Sequence, residues 1–362
     1  MRAIKETLLI LVLLILILPS CKKERWKGKI YKEKGVTVVE NRSGGLWDKE
    51  STGKIEFIEE LSLGVEEGVD HFMFFRLSDI AFDANLNIYV LDSGNLRLLK
   101  FDRGGNFIWK TGRKGQGPGE FQYPHRVAIT PDGNIAVLDE RIIQYFNDQG
   151  MFLKSWRIEK SFSTMTFLPD GRLFVNIMLR GQPGVAAEYY SSDGKFLEKF
   201  PDEYRYGPQM SPNLGASVGG GYFQRIGDRI YLSLPDQYEI REYDIKGRML
   251  RKIKRDIKLK TPNINVSPDG RGVSVGPSDS SGPCYLYKDE YIINCLTLVE
   301  KTSETDYKSE HFLDFFNEKG QYLGSHPLPE AHVLKVIDSE DRFYFIQWEP
   351  FPRIIRSTLK ME

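Results

Sequence analysis

The sequence predicts an all-β fold: a six-bladed β-propeller of four-stranded antiparallel blades, the last blade closed by an N-terminal strand. The first observation behind this is a fivefold motif. An aromatic residue is followed four positions later by glycine and then, after one residue, by two apolar residues. The copies run Phe101 to Ile108, Phe146 to Leu153, Tyr190 to Leu197, Tyr243 to Leu250 and Phe316 to Leu323, with Gly105, Gly150, Gly194, Gly247 and Gly320 in the turns. Each reads as a hairpin in which a strand ends on the aromatic, glycine supplies a positive φ, and a second strand begins. The second observation is their spacing of roughly 45 residues, stretched in later copies, which marks one supersecondary unit per repeat. The third is that each end of the chain carries part of a blade.

Taken in order, Arg2 and Lys5 precede an apolar run from Thr7 to Leu18, then Leu18-Pro19-Ser20-Cys21 and the polar Lys22-Lys23-Glu24-Arg25. The run is shorter than the about 20 residues that span a bilayer, so residues 1–21 read as an export leader. Leu-x-Ser-Cys resembles the lipobox of bacterial lipoproteins. That resemblance implies that Cys21 is lipidated and becomes the new N-terminus. With no aspartate after Cys21, it further implies an exported, membrane-anchored lipoprotein of the outer membrane that faces the periplasm. Residues 22–50 read as a tether with a possible edge strand at Val36–Glu40, and residues 51–362 as the propeller.

Within each blade a hairpin precedes the glycine hairpin. Ile80–Asp92, Val127–Asp139, Met165–Val175, Phe223–Leu232 and Cys284–Ile293 open blades one to five. Pro131-Asp132-Gly133 and Pro169-Asp170-Gly171 suit tight turns, because proline presets φ and glycine takes the left-handed position. Val333–Ile346 opens a sixth blade and Arg353–Leu359 supplies its third strand, after which the chain stops. Gly53–Leu61 has the pattern of the missing fourth strand, and using it there removes an exposed sheet edge.

The charge balance of 50 basic and 50 acidic residues becomes 48 and 49 once Arg2, Lys5 and Glu6 leave with the leader. A neutral domain has no basic footprint for phosphate contacts, so no nucleic-acid partner is expected. Gly115-Gln-Gly-Pro-Gly119 lacks the Lys-Ser or Lys-Thr of a phosphate loop, and no nucleophile elbow or His-Glu-x-x-His pair is present.

Residues 88–107, Ile-Tyr-Val-Leu-Asp-Ser-Gly-Asn-Leu-Arg-Leu-Leu-Lys-Phe-Asp-Arg-Gly-Gly-Asn-Phe, resemble an NHL repeat, and Gly115–Pro124 resembles the linker between such repeats. The resemblance is strong over residues 80–153; later blades keep the hairpin rhythm alone. It implies a six-bladed propeller lipoprotein related to NHL-repeat proteins, which act mostly as binding scaffolds and in a few relatives as enzymes.

Candidate functional residues fall in four groups. Counting outward from a turn at Asp289-Glu290 places Cys284 opposite Cys295, within disulfide reach in an oxidising compartment; two buried free thiols are the alternative. Asp92 and Asp139 both end second strands, where they cap the turn that follows or contribute to a polar ring. His125 and Arg126 enter an inner strand, with Ser78 and Asp79 at the matching place one blade earlier and Ser163 and Thr164 one later. Asp79, His125, Arg126 and Asn176 are therefore expected at the mouth of the axial channel. Finally, the long connections 178–187, 201–221, 256–283 and 299–311 all emerge on one face, which offers Arg180, Tyr204, Arg205, Tyr206, Tyr222 and Trp348 as contacts.

The reading that follows is a lipid-anchored, non-catalytic binding module of the bacterial cell envelope. Its expected partners are an envelope protein, peptide or glycan, with the membrane held through the N-terminal lipid. No cofactor is called for, although a calcium ion in the channel stays open. The alternative is a metal-dependent hydrolase or lyase of the six-bladed type, which needs several carboxylate, asparagine or histidine groups converging from different blades.

Overall fold

The computed structural model describes residues 26–42, 44–47, 55–160, 162–178, 184–205, 222–234, 237–260, 264–266, 273–303 and 306–361. The described residues begin with an antiparallel hairpin of β1 (Gly28–Glu33) and β2 (Val36–Asn41), followed by β3 (Ile55–Leu63). Blade one is β4 (Leu77–Phe82), β5 (Ile88–Asp92), β6 (Arg97–Phe101) and β7 (Phe107–Thr111), and blade two is β8 (Pro124–Ile129), β9 (Ile135–Asp139), β10 (Ile142–Phe146) and β11 (Phe152–Arg157). Blade three is β12 (Phe162–Phe167), β13 (Leu173–Met178), β14 (Gly184–Tyr190) and β15 (Phe196–Arg205). Blade four is β16 (Tyr222–Ile226), β17 (Arg229–Ser233), β18 (Glu239–Asp244) and β19 (Met249–Arg255). A small hairpin of β20 (Ile264–Val266) and β21 (Val273–Val275) leads to blade five: β22 (Ser280–Tyr287), β23 (Tyr291–Lys301), β24 (Tyr307–Asn317) and β25 (Tyr322–Pro327). Blade six is β26 (His332–Ile337), β27 (Phe343–Gln347) and β28 (Arg353–Met361), completed by β3, which pairs antiparallel with β28 from Ile354–Leu63 to Met361–Ile55. The ring is thus closed by joining both ends of the propeller chain in one blade.

Each seam between blades has its own apolar core. The six buried clusters divide one per seam, including the seam between blades six and one that closes the ring, where Leu63, Tyr344, Ile346 and Ile354 meet Leu77, Ile80, Ile88 and Phe101. The second strands explain this arrangement. All five residues of β5, of β9 and of β27 are buried, as strands sandwiched on both faces must be.

The repeated glycine is required twice over. All five take φ between +77° and +90°, a region that side chains with Cβ rarely enter. Each also packs on the fourth strand of the preceding blade: a Cβ on Gly194 would lie 2.5 Å from the Trp156 ring of β11, and one on Gly105 2.8 Å from Leu61 of β3. Blade six lacks the motif because its third and fourth strands come from opposite ends of the chain.

Two expectations need correction and one is extended. The possible edge strand at Val36–Glu40 is present as β2, and it is docked on the ring. β2 joins β19 in parallel register, making blade four six-stranded, and Leu46 N and Trp47 N then donate to Tyr322 O and Leu323 O of β25. Residues 299–311 are mostly not a loop, since β23 and β24 continue as one long ladder to Lys301–Tyr307. Cys284 does not face Cys295. Lys288 and Asp289 both take φ +53°, so the turn begins a residue earlier than expected and Tyr287 pairs with Tyr291. Cys284 therefore lies opposite Asn294 and donates to its Oδ1 at 3.1 Å, and both thiols are free. Burial raises the Cys284 pKa well above the ordinary thiol value, and burial, with Asp314 nearby, pushes Cys295 up to about 12.

Candidate functional site

The inner strands β4, β8, β12, β16, β22 and β26 neighbour one another in that order around the axis, and β26 returns to β4. Five of them break register, four within the first half of the strand and β26 past its middle. The extra residues are Ser78 in β4, His125 in β8, Ser163 in β12, the Gly282–Pro283 pair in β22 and Lys335 in β26. A bulge of this kind re-aims side chains and commonly borders a binding site. Here it recurs around one end of the channel, the face on which the blade-to-blade connections enter.

Two buried aspartates hold that end in place. Asp92 Oδ1 accepts from Phe75 N and Arg76 N at 3.2 and 3.0 Å, directly before β4, while its Oδ2 faces Arg97 Nε at 3.0 Å. Asp139 does the same one blade on, accepting from Gln122 N at 2.9 Å and Tyr123 N at 2.5 Å before β8. Both carboxylates were expected to cap the following turn or join a polar ring; Asp92 does hold that turn, through Asn95 Nδ2 at 2.7 Å, but both bond backbone amides that lie upstream and so fix the entry of their own blade's inner strand. Burial raises the Asp139 pKa, and these amide bonds oppose the rise.

Asp79 is the centre of the arrangement. Its Oδ2 accepts from Val127 N of blade two at 3.0 Å and its Oδ1 faces Lys335 Nζ of blade six at 3.3 Å, so one carboxylate joins three blades. Burial pulls the Lys335 ammonium below the ordinary lysine value; Asp79 opposes this and the Arg126 charge adds to it. Arg126 donates from Nη1 to His125 O at 2.8 Å. Its charge is felt by Tyr222 of blade four as well, where burial raises the phenol pKa and Arg126 acts in the opposite sense. One guanidinium therefore influences groups on two other blades.

The remaining expected residues are distributed as follows. The His125 ring lies 3.1 Å from Tyr123 O and 3.4 Å from Phe162 O, and so ties blade two to blade three. Ser78 and Ser163 donate to Leu91 O and Asn176 O, filling acceptors beside their bulges. Asn176 is buried opposite Thr164 within blade three. Trp348 is 38% exposed on the connection after β27. Tyr204 and Arg205 end β15, paired with Val185 and Gly184; their side chains, together with Arg180, Tyr206 and Cys21, lie outside the described residues. Lys335 is the residue that sequence reading missed. A single lysine between Leu334 and Val336 on a strand beside the axis was the available signal.

Among the described residues no group of three or more His, Cys, Asp or Glu side chains is placed to hold a metal ion. On the opposite face, a groove of about 320 Å³ lies between the Pro-Asp-Gly turns of blades two and three, lined by Asp132, Tyr145, Lys154, Phe167 and Asp170 among others. No helix of the described residues is long and apolar enough to cross a membrane.

Among curated proteins, the chain is 32% identical over 95 residues to the protein brain tumor of Drosophila melanogaster; the match covers 25% of this chain and 9% of that protein's length. Among solved structures it is similar to a Bacteroides fragilis protein named, by inference, as exported, with TM-score 0.60 and 14% identity over 90% of this chain and 99% of that one. A member of the DUF4221 family from Bacteroides vulgatus gives TM-score 0.60 and 12% identity, over 86% and 99% of the two chains. At such identities these structures share the fold. The family model that matches, over residues 56–271, is DUF5128, described as a 6-bladed beta-propeller. With that model covering more than half of its length, the chain belongs to the six-bladed β-propeller family DUF5128.

Proposed function

We propose that this protein is an exported, lipid-anchored, non-catalytic binding module that takes its ligand at the bulged mouth of the axial channel. The observation that carries the reading is the convergence of Asp79, Arg126 and Lys335 from three blades at one end of the axis, around recurrent inner-strand bulges. A few polar groups converging on a concave site in a rigid scaffold are the usual makings of a ligand site. A protein, peptide or glycan of the envelope is the ligand class, in keeping with the resemblance to NHL-repeat scaffolds. The Bacteroides fragilis neighbour, named by inference as exported, accords with export. Lipidation at Cys21 accords with the docked β1–β2 hairpin. Five Cα steps lead from Cys21 to Trp26, a reach of at most about 18 Å, so the anchor would hold the ring by the rim of blade four.

The test is native mass spectrometry of the protein extracted from its own membranes, beside Ser78→Trp, which sets a bulky side chain on the β4 bulge. A bound mass present in the wild type and lost from the folded variant is expected. Retention of that mass in the variant would place the ligand elsewhere. Replacing Cys21 with serine should release the protein from membranes, and unchanged retention would remove lipidation from the account.

A further inference from the structure

We propose that the channel mouth is a carboxylate seat: the ligand presents a single carboxylate to the guanidinium of Arg126, beside Lys335. This rests on the mouth being the binding site and adds the chemistry that it recognises.

Five buried or half-buried arginines of the ring each hold a carboxylate, whereas Arg225 of β16, like Arg126, meets a backbone carbonyl, Phe167 O at 3.3 Å. Arg97 holds Asp92 at 3.0 Å, Arg241 holds Glu239 at 2.7 Å, Arg251 holds Glu242 at 2.6 Å, Arg255 holds Asp314 at 2.5 Å and Arg342 holds Asp338 at 2.8 Å. Arg126, half-buried at the mouth, is paired with no carboxylate of the described residues and among them donates one side-chain hydrogen bond, to the carbonyl of its own neighbour. A guanidinium carries five donors, so most of its fork is left to the channel. Asp79, whose oxygens meet Lys335 and Val127 N, makes no ion pair with Arg126. Two cations thus share one anion, and the surplus positive charge sits in a partly desolvated mouth where an incoming anion is attracted more strongly than in bulk water.

The charge also limits what the anion is. A planar carboxylate matches the guanidinium fork with two parallel hydrogen bonds. A phosphate dianion would bring two charges against Asp79, with one surplus cation to meet them. Burial keeps the Tyr222 phenol protonated, and so able to donate to a carboxylate rather than repel it. The ligand is accordingly one that ends in, or carries, a single carboxylate.

The probe is acetate, the smallest group any such ligand must contain, with acetamide as its uncharged counterpart. Binding to the full mature chain is followed by NMR at constant ionic strength, up to about 100 mM, where a site of about 10 mM dissociation constant is well occupied. Acetate should bind, acetamide should not, and Arg126→Gln should weaken acetate by roughly tenfold, the loss of one charge-assisted pair. Asp79→Asn should tighten acetate, because a competing negative charge is gone; a merely structural role for Asp79 gives no such gain. Arg126→Lys, which keeps the charge and loses the fork, should fall between wild type and Arg126→Gln, and it serves where Arg126→Gln does not fold. Equal binding of acetate and acetamide, unaffected by Arg126→Gln, would overturn the carboxylate seat and leave the mouth as a binding site. No acetate binding over that range, or inorganic phosphate binding more tightly than acetate, would overturn it as well.

Discussion

Replacing Asn41 with alanine tests whether the N-terminal hairpin is part of the ring. Asn41 is fully buried where β2 meets blades four and five, and all of its amide capacity is used. Its Nδ2 donates to Lys254 O at 3.1 Å and to Gly320 O at 3.0 Å, while Oδ1 accepts from Tyr322 N at 2.8 Å and Trp26 Nε1 at 2.7 Å. In Asn41→Ala the Trp26 indole, half-exposed, turns to water, whereas Tyr322 N and Gly320 O are left inside without partners. A buried group deprived of its partner costs about 1–3 kcal/mol. Two such groups, with a small cavity, bring the expected loss to about 3–5 kcal/mol. With an unfolding entropy near 2.1 cal/mol/K per residue, this lowers Tm by roughly 4–7 °C in a chain of this size. Chemical denaturation at equilibrium, beside a thermal scan, measures it. A loss below about 1 kcal/mol would mean that β2 is not held against β19 and β25 in solution, and the packed hairpin would have to be abandoned.

Other outcomes follow from the same structure. Gly194→Ala forces a side chain into φ +90° and against the Trp156 ring at 2.5 Å; a destabilisation of about 2–4 kcal/mol is expected by denaturation, and a neutral result would remove the packing role of the repeat glycine. Thiol labelling of the denatured, unreduced chain from Lys22 onward should count two thiols, Cys284 and Cys295; labelling of neither would restore the bridge. Burial holds the His311 imidazole below its ordinary value, with Nδ1 at 3.0 Å from Thr297 Oγ1. The folded state therefore resists protonation: this contribution is complete above the ordinary histidine value of about 6.5 and is lost as pH falls through the lower folded-state value. His311→Gln should flatten the stability profile between neutral and mildly acidic pH, and an unchanged profile would contradict the assignment.

What could be read from the sequence depended on how local the cause was. The glycine hairpins are local: five residues set a turn, and the spacing of turns sets the blades, so six blades and their closure by β3 follow from pattern alone. Register is less local. The Cys284 expectation failed on one residue of turn, because Lys288 and Asp289 both take the left-handed region that sequence reading reserves for glycine or asparagine. The bulges are similar. They are stretches that pair with nothing on the neighbouring strand, and Ser78, His125 and Ser163 were singled out because their blades align, whereas Lys335 was hidden in a run read simply as an apolar hairpin. The docking of β2 on β19 could not be seen at all, since a parallel pairing between residues more than two hundred positions apart leaves no periodic trace. The same holds for the backbone partners of Asp92 and Asp139, which lie sixteen or seventeen residues upstream.

The most direct measurement is a crystal structure of the protein purified from its own membranes with whatever it retains. The account predicts density at the bulged mouth of the axial channel, in contact with Arg126 and beside Lys335. An empty mouth, with the ligand seated instead in the groove between the Pro-Asp-Gly turns of blades two and three, would contradict it.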